Sequence, residues 1–374
     1  MRIGVLTHLK HPVRQPFPGG LEAFTYDATL GLRALGHEVT LFASSASAPE
    51  LQVVPILDDS TYVDGNRPLA SEYIDEHHAY LKALLHIDSY GFDVIFNNSL
   101  HYVPVTMASM IRTPMLTVLH TPPFFELIEA LAGNRHGGWF CTPSRANAQA
   151  WSAHVPECEV IANGIDLDFW RPRGAVGEQV LWFGRIVPDK GPHLAIAAAR
   201  LAGVPLRLAG QITDQAWFDE HIAPHLGEQI RYLGHLGREA LADELASASA
   251  ALVTPCWEEP FGLVVAEALA CGTPVAAFAR GALPELLTAA TGALAPAGDI
   301  AALAKALLEA RGKSRTACRE RAQSLWSHAH MLKRYEQRLH EVVAAHAAQQ
   351  SGATACYRGA AAADANLLVG LPRG

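Results

Sequence analysis

The sequence predicts an α/β protein of two doubly wound units, and three observations carry that prediction. The chain has 374 residues, enough for two domains of roughly 100 to 200 residues each. Short apolar runs alternate with helix-period segments, first up to residue 169 and again from residue 178. Half of the residues are apolar and 18% are charged, so burial can offset chain entropy without disulfide or metal staples.

In the first half, residues 3–6, 39–43, 94–96, 115–119 and 138–141 are continuously apolar, as strands covered on both faces of a parallel sheet should be. Helices are expected between them over 21–35, where Gly36 stops the pattern, and over 71–87, 103–110, 124–132 and 144–151, with Ser144 as N-cap. The second half repeats the pattern. Strands are expected at 180–183, 206–209, 230–233, 251–254 and 275–278, with helices at 192–201, 238–248, 261–270 and 300–310. Repeated β-α units imply parallel sheets, hence two Rossmann-like domains facing each other across a cleft, and the cleft is where function should lie. Residues 170–177 are rich in Pro, Gly and Arg and lack an apolar period, so they read as the linker between a first domain, 1–169, and a second, 178–325. The tail, 349–374, is mostly Ala and Gly and reads as disordered.

A net charge of −8 offers no electrostatic footprint for nucleic acid. Residues 1–177 hold 18 acidic against 11 basic side chains, while residues 178–374 hold 19 against 18, so the first half reads as a poor host for a polyanionic acceptor. The basic residues Arg311, Lys313, Arg315, Arg319, Arg321, Lys333, Arg334 and Arg338 read as a solvated helix face in preference to an anionic-lipid surface. Six cysteines without a C-x-x-C spacing read as buried thiols of a reducing compartment. The apolar start is too short for a signal peptide, and Glu267, Gly272 and Pro274 interrupt the longest apolar stretch, 261–279. No transmembrane segment and a cytoplasmic location are therefore expected.

Gly19 and Gly20 stand just before the first helix, where backbone N–H groups can approach a phosphate; a plain turn explains them equally well. No G-x-G-x-x-G occurs, so a nicotinamide cofactor loses its main support. Arg185 and Lys190 follow the first strand of the second domain, and two cations there can neutralise a diphosphate without a metal. Surface salt bridges are the alternative for such a pair. Glu259 and Glu267 stand eight positions apart around a helix start, about 80° apart on a helical wheel, so both can look into one cleft. Glu267 lies in an apolar helix and needs donors, either ligand hydroxyls or a structural arginine. Asp166 and Asp168 imitate a metal-binding D-x-D, and His221 and His225 stand four apart, but Pro224 lies between the histidines and no acidic base follows; no metal is assigned.

Residues 257–275 resemble the E-x7-E segment of glycosyltransferase family 4, retaining enzymes of the two-domain GT-B fold. The similarity extends in order through Gly19-Gly20-Leu21-Glu22, Asn163-Gly164-Ile165-Asp166, Phe183-Gly184-Arg185 with Lys190-Gly191, Tyr232-Leu233-Gly234 and Gly281-Ala282-Leu283-Pro284-Glu285, spanning about residues 1–345. The resemblance implies that Arg185 and Lys190 hold a donor diphosphate with the N–H groups of Gly20, Gly262 and Leu263, at a site that includes Gly19 and Phe261. It also implies that Glu267 binds the nucleotide ribose, that Glu259 faces the donor sugar and not the pyrophosphate, and that His120, at a strand end, stands near the sugar. A C-terminal helix, 326–348, is expected to return to the first domain. The function implied is metal-independent, cofactor-free transfer of a hexose from a nucleoside-diphosphate sugar, UDP- or GDP-linked, to the hydroxyl of a saccharide, small-molecule or lipid-linked acceptor, with the leaving phosphate assisting on the same face. An inactive nucleotide-sugar sensor, or an epimerase or phosphorylase of the same fold, is the alternative.

Overall fold

A computed structural model of the chain describes residues 1–17, 19–58, 69–133 and 138–367. The first unit runs β1 (Arg2–Thr7), α1 (Gly20–Ala34), β2 (Glu38–Ser44), β3 (Val54–Leu57), α2 (Leu69–His86), β4 (Val94–Asn98), α3 (Tyr102–Met107), β5 (Met115–Val118), α4 (Phe125–Gly133), β6 (Trp139–Thr142), α5 (Arg145–Trp151) and β7 (Cys158–Val160). The second runs β8 (Val180–Phe183), α6 (Pro192–Ala202), β9 (Leu206–Ala209), α7 (Gln215–His221), β10 (Ile230–Tyr232), α8 (Arg238–Ser247), β11 (Ala250–Val253), α9 (Leu263–Ala270), β12 (Val275–Phe278), α10 (Leu283–Leu286), β13 (Gly292–Ala295), α11 (Ile300–Ala310) and α12 (Arg315–Leu325). A long α13 (His328–Leu367) closes the chain.

Among the described residues the strands form two sheets, ordered β3-β2-β1-β4-β5-β6-β7 and β10-β9-β8-β11-β12-β13. Every pairing is parallel. The order reverses between β1 and β4 in one sheet and between β8 and β11 in the other, which opens a crevice at the carboxyl ends of those strands. The central strands are buried on both faces, which is why their sequences are continuously apolar. Edge strands β3, β7 and β13 escaped the pattern because they are short and half covered; β3 even carries Pro55, tolerated at an edge where no ladder donor is needed.

The chain crosses between the units at two neighbouring points. Ile165 N–H donates to Trp326 O at 2.8 Å and His328 N–H to Ile165 O at 3.0 Å. Ile165 and Trp170 already pack in the core of the second unit. The segment expected as linker is held along that unit, with Arg173 Nη1 2.9 Å from Glu239 and 3.0 Å from Asp243. Helix α13 then returns across the first unit, where Met331, Tyr335, Leu339 and Val342 join Ile3, Val5, Phe24 and Phe96 in one core. It continues to Leu367, through residues whose composition read as disordered. Alanine is the strongest helix former, so a run of alanines continues a helix without any apolar period.

Of the described cysteines, Cys141, Cys271 and Cys318 are buried, Cys158 is half-buried and Cys256 is exposed, so the expectation of buried thiols holds for the first three only. No described helix is long and apolar enough to cross a membrane.

The contribution of α13 to the first core is testable. Leu339 is completely buried, so Leu339→Ala should destabilise the protein by about 2 to 5 kcal/mol, read as a lower urea midpoint.

Candidate active site

The two sheets point their switch points at each other across a cleft of about 580 Å³. Helix α1 begins at Gly20 and helix α9 at Leu263, and these two N-termini converge from opposite units: a Cβ on Gly20 would lie only 2.6 Å from Leu263 Cδ1. Gly262 adopts φ +94°, a conformation that favours glycine, and this turn sends the chain from the Glu259 loop into α9. Two helix starts, each with N–H groups that have no intrahelical partner, thus meet in the cleft, a suitable seat for an anion.

Arg185 follows β8 into the same cleft and is exposed, and its guanidinium makes no hydrogen bond or ion pair with a described residue. Lys190 lies on the wall as well. Its Nζ is 2.8 Å from Glu259 Oε2 and 4.7 Å from the centre of the Trp257 ring, and Trp257 Nε1–H donates to the same oxygen at 3.1 Å. The cation assigned to phosphate and the carboxylate assigned to sugar therefore touch. Their loops are fixed by close backbone packing. A Cβ on Gly191 would meet Thr254 O at 2.1 Å, one on Gly281 would meet Glu259 O at 2.2 Å, and Ala282 N–H donates to Glu259 O at 2.8 Å. Phe261 reaches the cleft wall, but its side chain is buried in the second core against Trp326.

Glu267 faces the deeper end. Burial pushes its carboxyl up to about 8, with Asp27 adding and Arg238 opposing through space, so it is mostly protonated at neutral pH. It forms no ion pair with a described residue, which sets aside the structural arginine. Arg238 instead stacks over Phe169 at 4.2 Å. Asp27, from α1, lies 3.5 Å from His328 Nε2, and burial raises its carboxyl although His328 and Arg238 oppose the rise.

On the first-unit wall, His120 Nε2 lies 2.8 Å from Asn98 Oδ1 and donates to it, and Phe24 meets the imidazole edge-on at 4.8 Å. Burial, helped by His8, lowers His120 to about 3, which leaves it neutral. Glu22 is buried and stands 3.5 Å from His8 Nδ1; burial works to raise its carboxyl, but the contact and charge of His8 outweigh that and hold it below its ordinary value.

The other motifs resolve differently. Asp166 Oδ1 accepts the N–H groups of Asp168 and Phe169, both at 3.0 Å, and so closes a turn. His225 is bound to Arg200 at 3.0 Å and His221 packs on Trp217. The described residues contain no cluster of three His, Cys, Asp or Glu side chains suited to a metal ion. Sequence reasoning missed Asp27, Arg238 and Trp257, and it assigned nothing specific to Glu285, whose carboxylate accepts Ala146 N–H at 2.5 Å and Arg145 N–H at 3.2 Å across the interface, at the start of α5. Asp27 sits two turns into α1 on the side of Gly20, so helical phase could have found it.

Two parallel α/β units that oppose their switch points across one cleft, tied by a returning C-terminal helix, define the GT-B fold. Family profiles agree: that of Glycosyl transferases group 1 matches residues 174–325 and that of Glycosyltransferase Family 4 matches residues 18–169. The chain belongs to the group 1 glycosyltransferases and is an enzyme of that class. It is 28% identical over 351 residues to a glycogen synthase of Mycobacterium tuberculosis, covering 77% of this chain and 81% of that one. It is 27% identical over 415 residues to the D-inositol 3-phosphate glycosyltransferase of Mycolicibacterium smegmatis, covering 94% and 95%. Among solved structures, Anabaena Alr3699/HepE in complex with UDP-glucose superposes with a TM-score of 0.72 at 21% identity, over 91% of this chain and all of that one.

The position of Glu267 generates a pH test. Its folded value near 8 lies above the ordinary 4.5, so the native state binds the extra proton and stability falls as pH rises from about 4.5 to 8. Glu267→Gln should therefore melt higher than the parent above pH 8, and the difference should vanish towards pH 4.5 in a melting series.

Proposed function

We propose that this protein is a retaining hexosyltransferase that uses a UDP- or GDP-linked sugar and requires no metal. The observation that carries the reading is the meeting of the α1 and α9 N-termini in the cleft that Arg185 and Lys190 also line. Fixed N–H dipoles and two cations supply the neutralisation for which other phosphoryl sites recruit a divalent ion. The relatives support the class: one is named for glycogen synthesis, another for glycosyl transfer to an inositol phosphate, and the HepE structure holds UDP-glucose.

In this reading the diphosphate spans Gly19, Gly20, Gly262, Leu263 and Arg185, and Lys190 bridges a phosphate oxygen and Glu259. Held by Lys190 and Trp257, Glu259 presents its carboxylate to the donor sugar, where it stabilises positive charge at the anomeric carbon. Glu267 takes the ribose hydroxyls, for which a carboxyl without an ion-pair partner is suited. Neutral His120 stands across from them beside the sugar. The bond between the anomeric carbon and the β-phosphate oxygen breaks as the bond to the acceptor oxygen forms on the same face, and the acceptor proton passes to the departing phosphate. The side chains position the reactants and stabilise separated charge. An inactive sensor is disfavoured because Arg185, Lys190, Glu259 and Glu267 all line the cleft.

A thermal-shift panel of UDP-, GDP-, ADP- and dTDP-sugars should show selective stabilisation, and binding of none of them by the folded protein would overturn the reading. Arg185→Ala should cost on the order of 3 kcal/mol, about a hundredfold in kcat/KM. Turnover should be unchanged by excess EDTA; loss of activity restored by a divalent ion would sink the metal-free mechanism.

A further inference from the structure

The first-unit wall of the cleft carries a lysine and an imidazole, Lys10 and His11, that neither the fold nor the donor reading uses. His8 follows β1, and Lys10 and His11 stand further along the loop towards α1; all three line the cleft. Lys10 and His11 are exposed, and neither makes a hydrogen bond or ion pair with a described residue. The neighbouring acid, Glu22, is buried and already turned to His8. These groups lie close enough to act on one another. Partial burial of the ring lowers His11, Glu22 opposes that, and His8, Arg185 and Lys10 lower it further. Burial likewise lowers His101, behind them, to about 4, with His77, His8 and Lys10 adding.

Lys10 stands in the cleft without an acid partner among the described residues, and His11 beside it is held towards its neutral form, a balance that a bound anion would reverse. The first half of the chain carries 18 acidic against 11 basic side chains, yet none of the described acids pairs with Lys10. A net charge summed over a domain does not decide it, since interactions between exposed charges are screened beyond about 8 Å at physiological salt.

Building on the transferase reading above, we propose that Lys10 and His11, backed by His8, bind the phosphate of a phosphorylated sugar or polyol acceptor. A phosphate monoester carries close to two negative charges at neutral pH and three acceptor oxygens, which suits one ammonium beside an imidazole that gains a proton as the anion binds. A neutral acceptor would leave the Lys10 ammonium without a counter-charge. The patch adjoins the donor end through Arg185, so an acceptor anchored there by its phosphate can bring a hydroxyl towards the anomeric carbon.

The full-length enzyme is assayed with matched acceptors: glucose and glucose 6-phosphate, fructose and fructose 6-phosphate, inositol and inositol 1-phosphate. At least one phosphorylated member should exceed its neutral partner tenfold or more in kcat/KM. Lys10→Gln and His11→Gln should raise the KM for that acceptor tenfold or more while moving the donor KM less than twofold; both side chains are exposed, and a melting curve checks that the variants fold. In parallel, calorimetric titration of inorganic phosphate and of the three phosphate esters, with and without saturating nucleoside diphosphate, should show binding that Lys10→Gln weakens. Neutral acceptors used equally well, no phosphate binding by the parent, or a Lys10→Gln effect on donor KM alone would each overturn the proposal. Failure to bind any nucleotide sugar would overturn the transferase reading instead, and the titration without nucleotide would still decide the phosphate site.

Discussion

The close approach of Gly20 to Leu263 is the contact on which the rest of the site depends. The two units meet there with helix N-termini foremost, and a Cβ on Gly20 would push them apart. The absence of a side chain lets N–H groups from both units address the same point, which neither unit could do alone. The register of the contact is held from behind. Residue 165 pairs with the chain on either side of 327, α13 is anchored in the first core, and Glu285 grips the start of α5 across the interface.

Around that point the charges sort into zones with different logic. Near the helix termini, Arg185 stands open and Lys190 is balanced by Glu259, so the site holds positive potential without a large unpaired excess. At the deeper end burial raises both Glu267 and Asp27, Asp27 adds to the rise at Glu267, and Glu267 is mostly protonated at neutral pH. On the first-unit wall His8 and Glu22 form a settled pair, while Lys10 and His11 remain unsettled. A single cleft therefore offers an anion seat, a hydroxyl seat and an unpartnered Lys10 ammonium within one pair of domains.

The sequence was legible where physical forces act locally. Central strands such as β1, β4, β8 and β11 are covered on both faces and must be apolar throughout, so their runs stood out; β7, with Glu159 in the middle of three residues, had no such constraint. The glycines and paired charges around Arg185, Lys190, Glu259 and Glu267 were also readable, because tight turns and buried carboxylates demand particular residue types, and all four side chains line one cleft. Phe261 misled in part: an apolar residue at a helix start looks the same whether it serves a ligand or a core, and here its ring packs on Trp326.

Sequence alone determined the repeated β-α pattern, the two units and the residue types of the anion seat, because periodicity, turn chemistry and burial are written along the chain. Tertiary structure decided which of those groups meet. Lys190 on Glu259, Asp27 near Glu267, Glu285 on α5 and the gathering of His8, Lys10 and His11 near Arg185 join residues tens to hundreds of positions apart. Coulomb interactions depend on distance in space, and spacing along the chain does not encode it across two domains. For the same reason the acidic total of the first half, correct as a sum, was silent about the unpartnered Lys10 at its edge.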